Sequence, residues 1–149
     1  MQKFITVLLL ILLLTSCEEK KGNFLFILVD DLGWTDPGYA GSSFYETPHI
    51  DALSNASIQF THAYASGSVC SPSRAAILTG KHPARLHITD WIPGSRPMDQ
   101  KLKGPSIQNE LPLREITLAE TLKAHNYCTF YAGKWHLGDR GFFPEDQGF

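Results

Sequence analysis

The chain has 149 residues, a formal net charge of −2 and 43% hydrophobic residues, the composition of a globular protein rather than a disordered or fibrous one. With 13 basic against 15 acidic residues there is no cationic excess, which excludes nucleic acid as a principal partner. The three cysteines include no Cys-x-x-Cys pair and no His-rich spacing accompanies them, so no zinc site is expected.

Residues 1–16 read as a signal peptide. Lys3 opens the run, Phe4 to Leu14 is almost purely apolar, and Leu14-Thr15-Ser16-Cys17 closes it; a run of eleven residues is too short to span a bilayer. The ending resembles a bacterial lipoprotein signal, which implies cleavage before Cys17, lipidation of Cys17 and a membrane anchor. An ordinary signal peptide cut near the same place is the alternative. Either way the protein is expected to be exported, to the periplasm or to the outer membrane and cell surface. Residues 18–23, Glu-Glu-Lys-Lys-Gly-Asn, read as a polar tether.

Phe24-Leu25-Phe26-Ile27-Leu28-Val29 is a continuous apolar run without alternation, the pattern of a central strand covered on both faces. It ends in Asp30-Asp31, where open α/β sheets carry their ligand sites. Adjacent carboxylates repel unless a cation lies between them, and a hard divalent ion such as calcium suits this oxygen set. A strand-ending turn is the plainer reading of the same pair. Thr47-Pro48-His49-Ile50-Asp51-Ala52-Leu53 starts a helix with Thr47 as cap and Pro48 at the first position. Ile58 to Tyr64 reads as a second strand.

Cys70-Ser71-Pro72-Ser73-Arg74 precedes Ala75-Ala76-Ile77-Leu78-Thr79-Gly80. Ser71 as cap, Pro72 at the first position and Gly80 as stop predict a helix over 72–79. Cys70 then lies at its positive end, where free N–H groups favour an anion. Arg74, four residues on, offers a planar fork of donors on the same side. A buried structural cysteine is the plainer reading. Two phosphate-loop motifs fail on spacing. A P-loop needs glycine where Ala75 stands and Ser or Thr where His82 stands, and a cysteine-phosphatase loop needs arginine where Ala76 stands.

Trp91 to Leu113, rich in Pro and Gly, has no helical or strand period and reads as a long loop able to shape a pocket. Thr117-Leu118-Ala119-Glu120 is a capping box, with Leu118 and Leu122 expected to face inward and Asn126 to end the helix. Tyr127 to Ala132 reads as a third strand with Cys128 buried in it, followed by Gly133-Lys134-Trp135-His136-Leu137-Gly138. A Cys70–Cys128 disulfide is compatible with an exported chain.

Three of these segments, in order, resemble the type I, formylglycine-dependent sulfatases of the alkaline phosphatase-like superfamily. They are Val29-Asp30-Asp31-Leu32-Gly33-Trp34, the Cys70-x-Pro72-Ser73-Arg74 signature with Leu78-Thr79-Gly80, and Gly133-Lys134-Trp135-His136-Leu137-Gly138. The segment from Thr47 also resembles the family's, with His49 in place of Asn. The resemblance covers residues 24–149 and implies an α/β fold, a mixed, mostly parallel sheet flanked by helices, of which this chain is the N-terminal part.

The resemblance also implies the chemistry. A formylglycine-generating maturation enzyme oxidises Cys70 to an aldehyde whose hydrate is the nucleophile. Asp30, Asp31 and the modified Cys70 hold calcium. Arg74 and Lys134 neutralise the sulfate, and His136 hydrogen-bonds the hydrate and takes its proton. The substrate is a sulfate monoester of an aryl or carbohydrate alcohol. The family's second His, second Lys and Asp-Asn calcium ligands are not identifiable here, so the 149-residue chain alone is expected to be inactive. The alternatives are a phosphoesterase of the same superfamily and a non-catalytic lipoprotein binding sulfated glycans through Arg74, Lys81, Arg85 and Lys134.

Overall fold

A computed structural model of the chain describes residues 22–94, 99, 101–102 and 104–149. The expected signal peptide, Cys17 and most of the tether lie outside the described residues. The chain divides into two units, Met1–Leu32 and Gly33–Phe149.

Among the described residues of the first unit, 22–29 carry no regular structure, and Asp30 and Asp31 form a turn. The side chains of Phe24 to Val29 are 43–87% exposed. The strand expected there is therefore not formed. The same correction applies to 58–64 and 127–132: no described residue is in a strand, and Ile58, Phe60, Tyr64 and Phe130 are 80–86% exposed. A strand is stabilised by the neighbour it pairs with. These segments have the residue types of strands, but no strand ladder is formed among the described residues.

The second unit is built from four α-helices among the described residues: α1 (Pro48–Asn55), α2 (Cys70–Thr79), α3 (Pro83–Leu86) and α4 (Leu118–Ala124). Pro48 starts α1 as expected, yet Thr47 does not cap it with its side chain. The Thr47 hydroxyl instead accepts from the Gly38 N–H and donates to Asp51, and Asp51 accepts from the Tyr39 N–H. These bonds tie the 3-10 turn Gly38–Ala40 to the first turn of α1.

Helix α2 begins at Cys70, two residues earlier than the cap signals predict, with extended Val69 before it. Ser71 is not the cap. Its hydroxyl is completely buried and accepts from the Ile92 N–H at 3.0 Å, across 21 positions of sequence. That bond anchors the start of the long loop on α2. Gly80 ends the helix at φ 66°, a conformation glycine adopts without strain.

Helix α4 carries the capping box in full: the Thr117 hydroxyl accepts from the Glu120 N–H, and the Glu120 carboxylate accepts from the Thr117 N–H. Asn126 terminates it in the left-handed region at φ 62°. Leu118 is 46% exposed rather than inward, and Ala119, at 1%, takes the buried position. Cys128 is exposed and not in a strand, and both Cys70 and Cys128 are free, without a disulfide between them.

The core gathers Ala75 from α2, Leu86 from α3, Ile88, Ile92 and Leu111 from the connecting chain, and Trp135 with Leu137. A bond from the Leu111 N–H to the Leu137 carbonyl, 2.8 Å, and one from Gln147 Nε2 to the Leu111 carbonyl, 2.7 Å, lace these connections together. No described helix is long and apolar enough to cross a membrane.

Candidate active site

The segment after Ala132 inserts alternate side chains into the core. Trp135 is 8% exposed and Leu137 fully buried, and they alternate with Lys134, which is exposed, and His136, which is half-buried. Trp135 is further tied by its indole N–H to the Phe142 carbonyl at 2.7 Å. His136 holds φ 59°, uncommon for a residue with a Cβ and typical of sites where surrounding packing imposes the backbone.

Anchoring this segment beside α2 brings together residues far apart in sequence. Lys134 Nζ donates to Cys70 Sγ at 3.1 Å. Arg74, one turn along α2 from Cys70 and 7% exposed, donates through a guanidinium N–H to the Lys134 carbonyl at 2.6 Å. The fork expected to point outward toward an anion is thus partly engaged in holding the lysine backbone. Cys70, Arg74 and Lys134 form one cationic cluster around a half-buried sulfur.

His136 Nε2 lies 2.6 Å from the Ile92 carbonyl. Only a protonated nitrogen bonds a carbonyl, so the proton belongs on Nε2. Nδ1 is buried without a hydrogen-bond partner among the described residues and in the neutral ring is a proton acceptor. The Trp91 ring lies against the imidazole, centroids 6.3 Å apart. Ile92, Pro93, Asn109 and Glu110 of the long loop, with His136 and Asp139, line a pocket of about 460 Å³. The loop does shape a cavity beside the histidine.

In the first unit, a carboxylate oxygen of Asp30 and one of Asp31 lie within 4.8 Å of each other. Consecutive side chains of an extended chain point to opposite faces; the left-handed backbone of Asp31, φ 55°, turns the pair to a common side. Two exposed hard oxygens so arranged fit part of the shell of a divalent cation. Cys70, the third residue expected at the ion, belongs to the second unit.

Two residues that position the site carried no signal of it in the sequence: Ser71, which holds Ile92, and Tyr131, whose hydroxyl donates to the Lys134 carbonyl. Of the cations read as a glycan-binding surface, Lys81 is paired with Glu115 at 2.5 Å and Arg74 is buried.

The family model described as Sulfatase matches residues 22–149. The chain is 41% identical over 145 residues to arylsulfatase A of Homo sapiens, covering 95% of this chain and 27% of that protein. It is 37% identical over 140 residues to N-acetylgalactosamine-6-O-sulfatase of Bacteroides thetaiotaomicron, covering 86% of this chain and 25% of that protein. Among solved structures, Ps i-CgsB in complex with k-i-k-neocarrahexaose superposes with a TM-score of 0.68 at 33% identity, over 80% of this chain and 25% of that chain. The chain thus spans about a quarter of the length of the curated relatives it matches.

Proposed function

The chain belongs to the sulfatase family, and from that premise we propose that the protein hydrolyses sulfate monoesters of aryl or carbohydrate alcohols, with a formylglycine made from Cys70 and a calcium ion. The observation that carries this reading is the 3.1 Å contact between Lys134 Nζ and Cys70 Sγ: the position to be converted to the nucleophile already has an ammonium donor against it. The family's mostly parallel sheet is part of the same proposal.

When present, the formylglycine supplies a hydrated aldehyde as nucleophile and the calcium ion neutralises sulfate oxygens as a Lewis acid. Asp30 and Asp31 are the residues that would hold the ion. The Lys134 ammonium receives the sulfate next to position 70, and an oriented donor of that kind acts most strongly where charge develops in the transition state. Arg74 contributes a permanent positive charge and fixes the Lys134 backbone. His136, with Nε2–H committed to Ile92, takes up a proton at Nδ1.

A sulfated glycan is the natural substrate we favour. The relative from Bacteroides thetaiotaomicron is named for an amino-sugar 6-O-sulfate, and Ps i-CgsB was solved with k-i-k-neocarrahexaose. A formylglycine-generating enzyme is the required maturation partner. Residues 1–16 and Cys17 are proposed to export and lipid-anchor the protein, supported by the apolar run and its Ser16-Cys17 ending; fatty-acid labelling lost in Cys17→Ser checks this.

The test is to express the whole reading frame with a formylglycine-generating enzyme and measure sulfate release from an aryl sulfate and a sulfated sugar. The expected result is turnover abolished by Cys70→Ala and by calcium chelation, restored by added calcium, with an aldehyde in the peptide bearing residue 70. Faster release of phosphate from an aryl phosphate would favour a phosphoesterase. An unmodified Cys70 thiol in the native host, with glycan binding and no turnover, would favour a binding protein.

A further inference from the structure

The Lys134 carbonyl accepts two hydrogen bonds, from an Arg74 guanidinium N–H at 2.6 Å and from the Tyr131 hydroxyl at 2.5 Å. A carbonyl has two acceptor lone pairs, so this pair of donors saturates it. Both donors are themselves held. Arg74 is on α2 and 7% exposed. The Tyr131 ring packs edge-to-face on Trp135, centroids 5.2 Å apart, and on Phe149 at 5.0 Å. Between Tyr131 and Lys134, Gly133 sits at φ 111°, a turn open to glycine that lets the phenol of residue 131 reach back to the carbonyl of residue 134.

We infer that Tyr131 is a positioning residue for sulfate recognition: with Arg74 it clamps the Lys134 backbone so that the ammonium stays at residue 70. This rests on the sulfatase reading above but assigns a role to a side chain outside the three motifs. The physical argument is one of reach. Lysine has four rotatable side-chain bonds, and its ammonium is fixed only as well as its backbone is. Lys134 is exposed and follows a glycine, a pairing that invites backbone mobility. Two donors on one carbonyl, one of them charged, remove that freedom. Phenylalanine at 131 would keep the aromatic packing and delete only the hydroxyl.

The test is a double-mutant cycle on the full-length matured protein, comparing Tyr131→Phe, Lys134→Ala and the double variant. Two quantities are read: the dissociation constant for inorganic sulfate by calorimetry, which needs no turnover, and kcat and KM on an aryl sulfate. The expected result is sulfate binding weakened about fivefold to tenfold by Tyr131→Phe, the size of one lost hydrogen bond, with the thermal midpoint nearly unchanged. In the Lys134→Ala background the same change should have no further effect, because the hydroxyl acts through the lysine. Tyr131→Leu, which also removes the ring, should lower the thermal midpoint as well. Equal effects of Tyr131→Phe with and without Lys134, or an effect on the midpoint alone, would overturn the inference while leaving the sulfatase reading intact. A parent protein that neither binds sulfate nor turns over would sink that reading, and the clamp with it.

Discussion

Lys134 and Ser71 show how differently a single polar side chain can act in this chain. Lys134 is exposed and its amine meets Cys70 Sγ at 3.1 Å; replacing it by alanine should leave folding intact and reduce kcat for sulfate release by roughly 10²–10³-fold, the usual cost of deleting one oriented donor. Ser71 is fully buried and serves the Ile92 N–H. Ser71→Ala leaves that buried donor without an acceptor and should destabilise by about 1–3 kcal/mol, read by denaturant unfolding. Because Ile92 also presents its carbonyl to His136 Nε2, the same variant should perturb turnover as well as stability. The identity of Cys70, Arg74, Lys134 and His136 as candidates was legible from their motifs. That Arg74 turns its fork to a backbone carbonyl was not, since a motif specifies a residue type and not where its side chain finds its partner.

At the scale of elements, helices formed where the sequence placed them, though only α4 used its expected cap, and the strands did not form among the described residues. α4 has the start the sequence announced, and the Thr117 hydroxyl also donates to the Gln147 carbonyl at 2.7 Å across 30 positions. Thr117→Ala therefore removes a cap and a buried tertiary bond together and should cost about 2 kcal/mol, whereas Thr117→Ser, which keeps the hydroxyl, should cost much less in the same thermal unfolding series. Capping works within four residues of chain, so a linear reading finds it. α2 shows the limit of that reading. Ser71 has the composition of a cap, but a distant N–H competed for its hydroxyl and the helix began at Cys70. A strand depends wholly on the ladder it joins, and the apolar runs at 24–29, 58–64 and 127–132 are in no strand among the described residues.

Across the whole molecule, the core lies among α2, α3, the loop residues Ile88, Ile92 and Leu111, and the Trp135–Leu137 segment, while large apolar side chains elsewhere stay exposed. Leu25, Ile58, Phe60, Tyr64 and Phe130 are each at least 80% exposed, and large exposed apolar side chains form a surface that seeks a partner. The chain of residues 22–149 produced by itself should bind a hydrophobic dye and elute in size-exclusion chromatography as an associated species; a monodisperse, dye-negative monomer would contradict this. Composition, spacing and three ordered motifs were enough to specify the family, the candidate site residues and the helix boundary governed by the Thr117–Glu120 capping box, because each is encoded within a few consecutive positions. The tertiary structure alone decided that Tyr131 and Arg74 converge on Lys134, that Ser71 holds the loop rather than capping its helix, and that His136 turns Nε2 to the Ile92 carbonyl, because each depends on packing between segments 21 to 60 residues apart or on a backbone turn no local pattern announces.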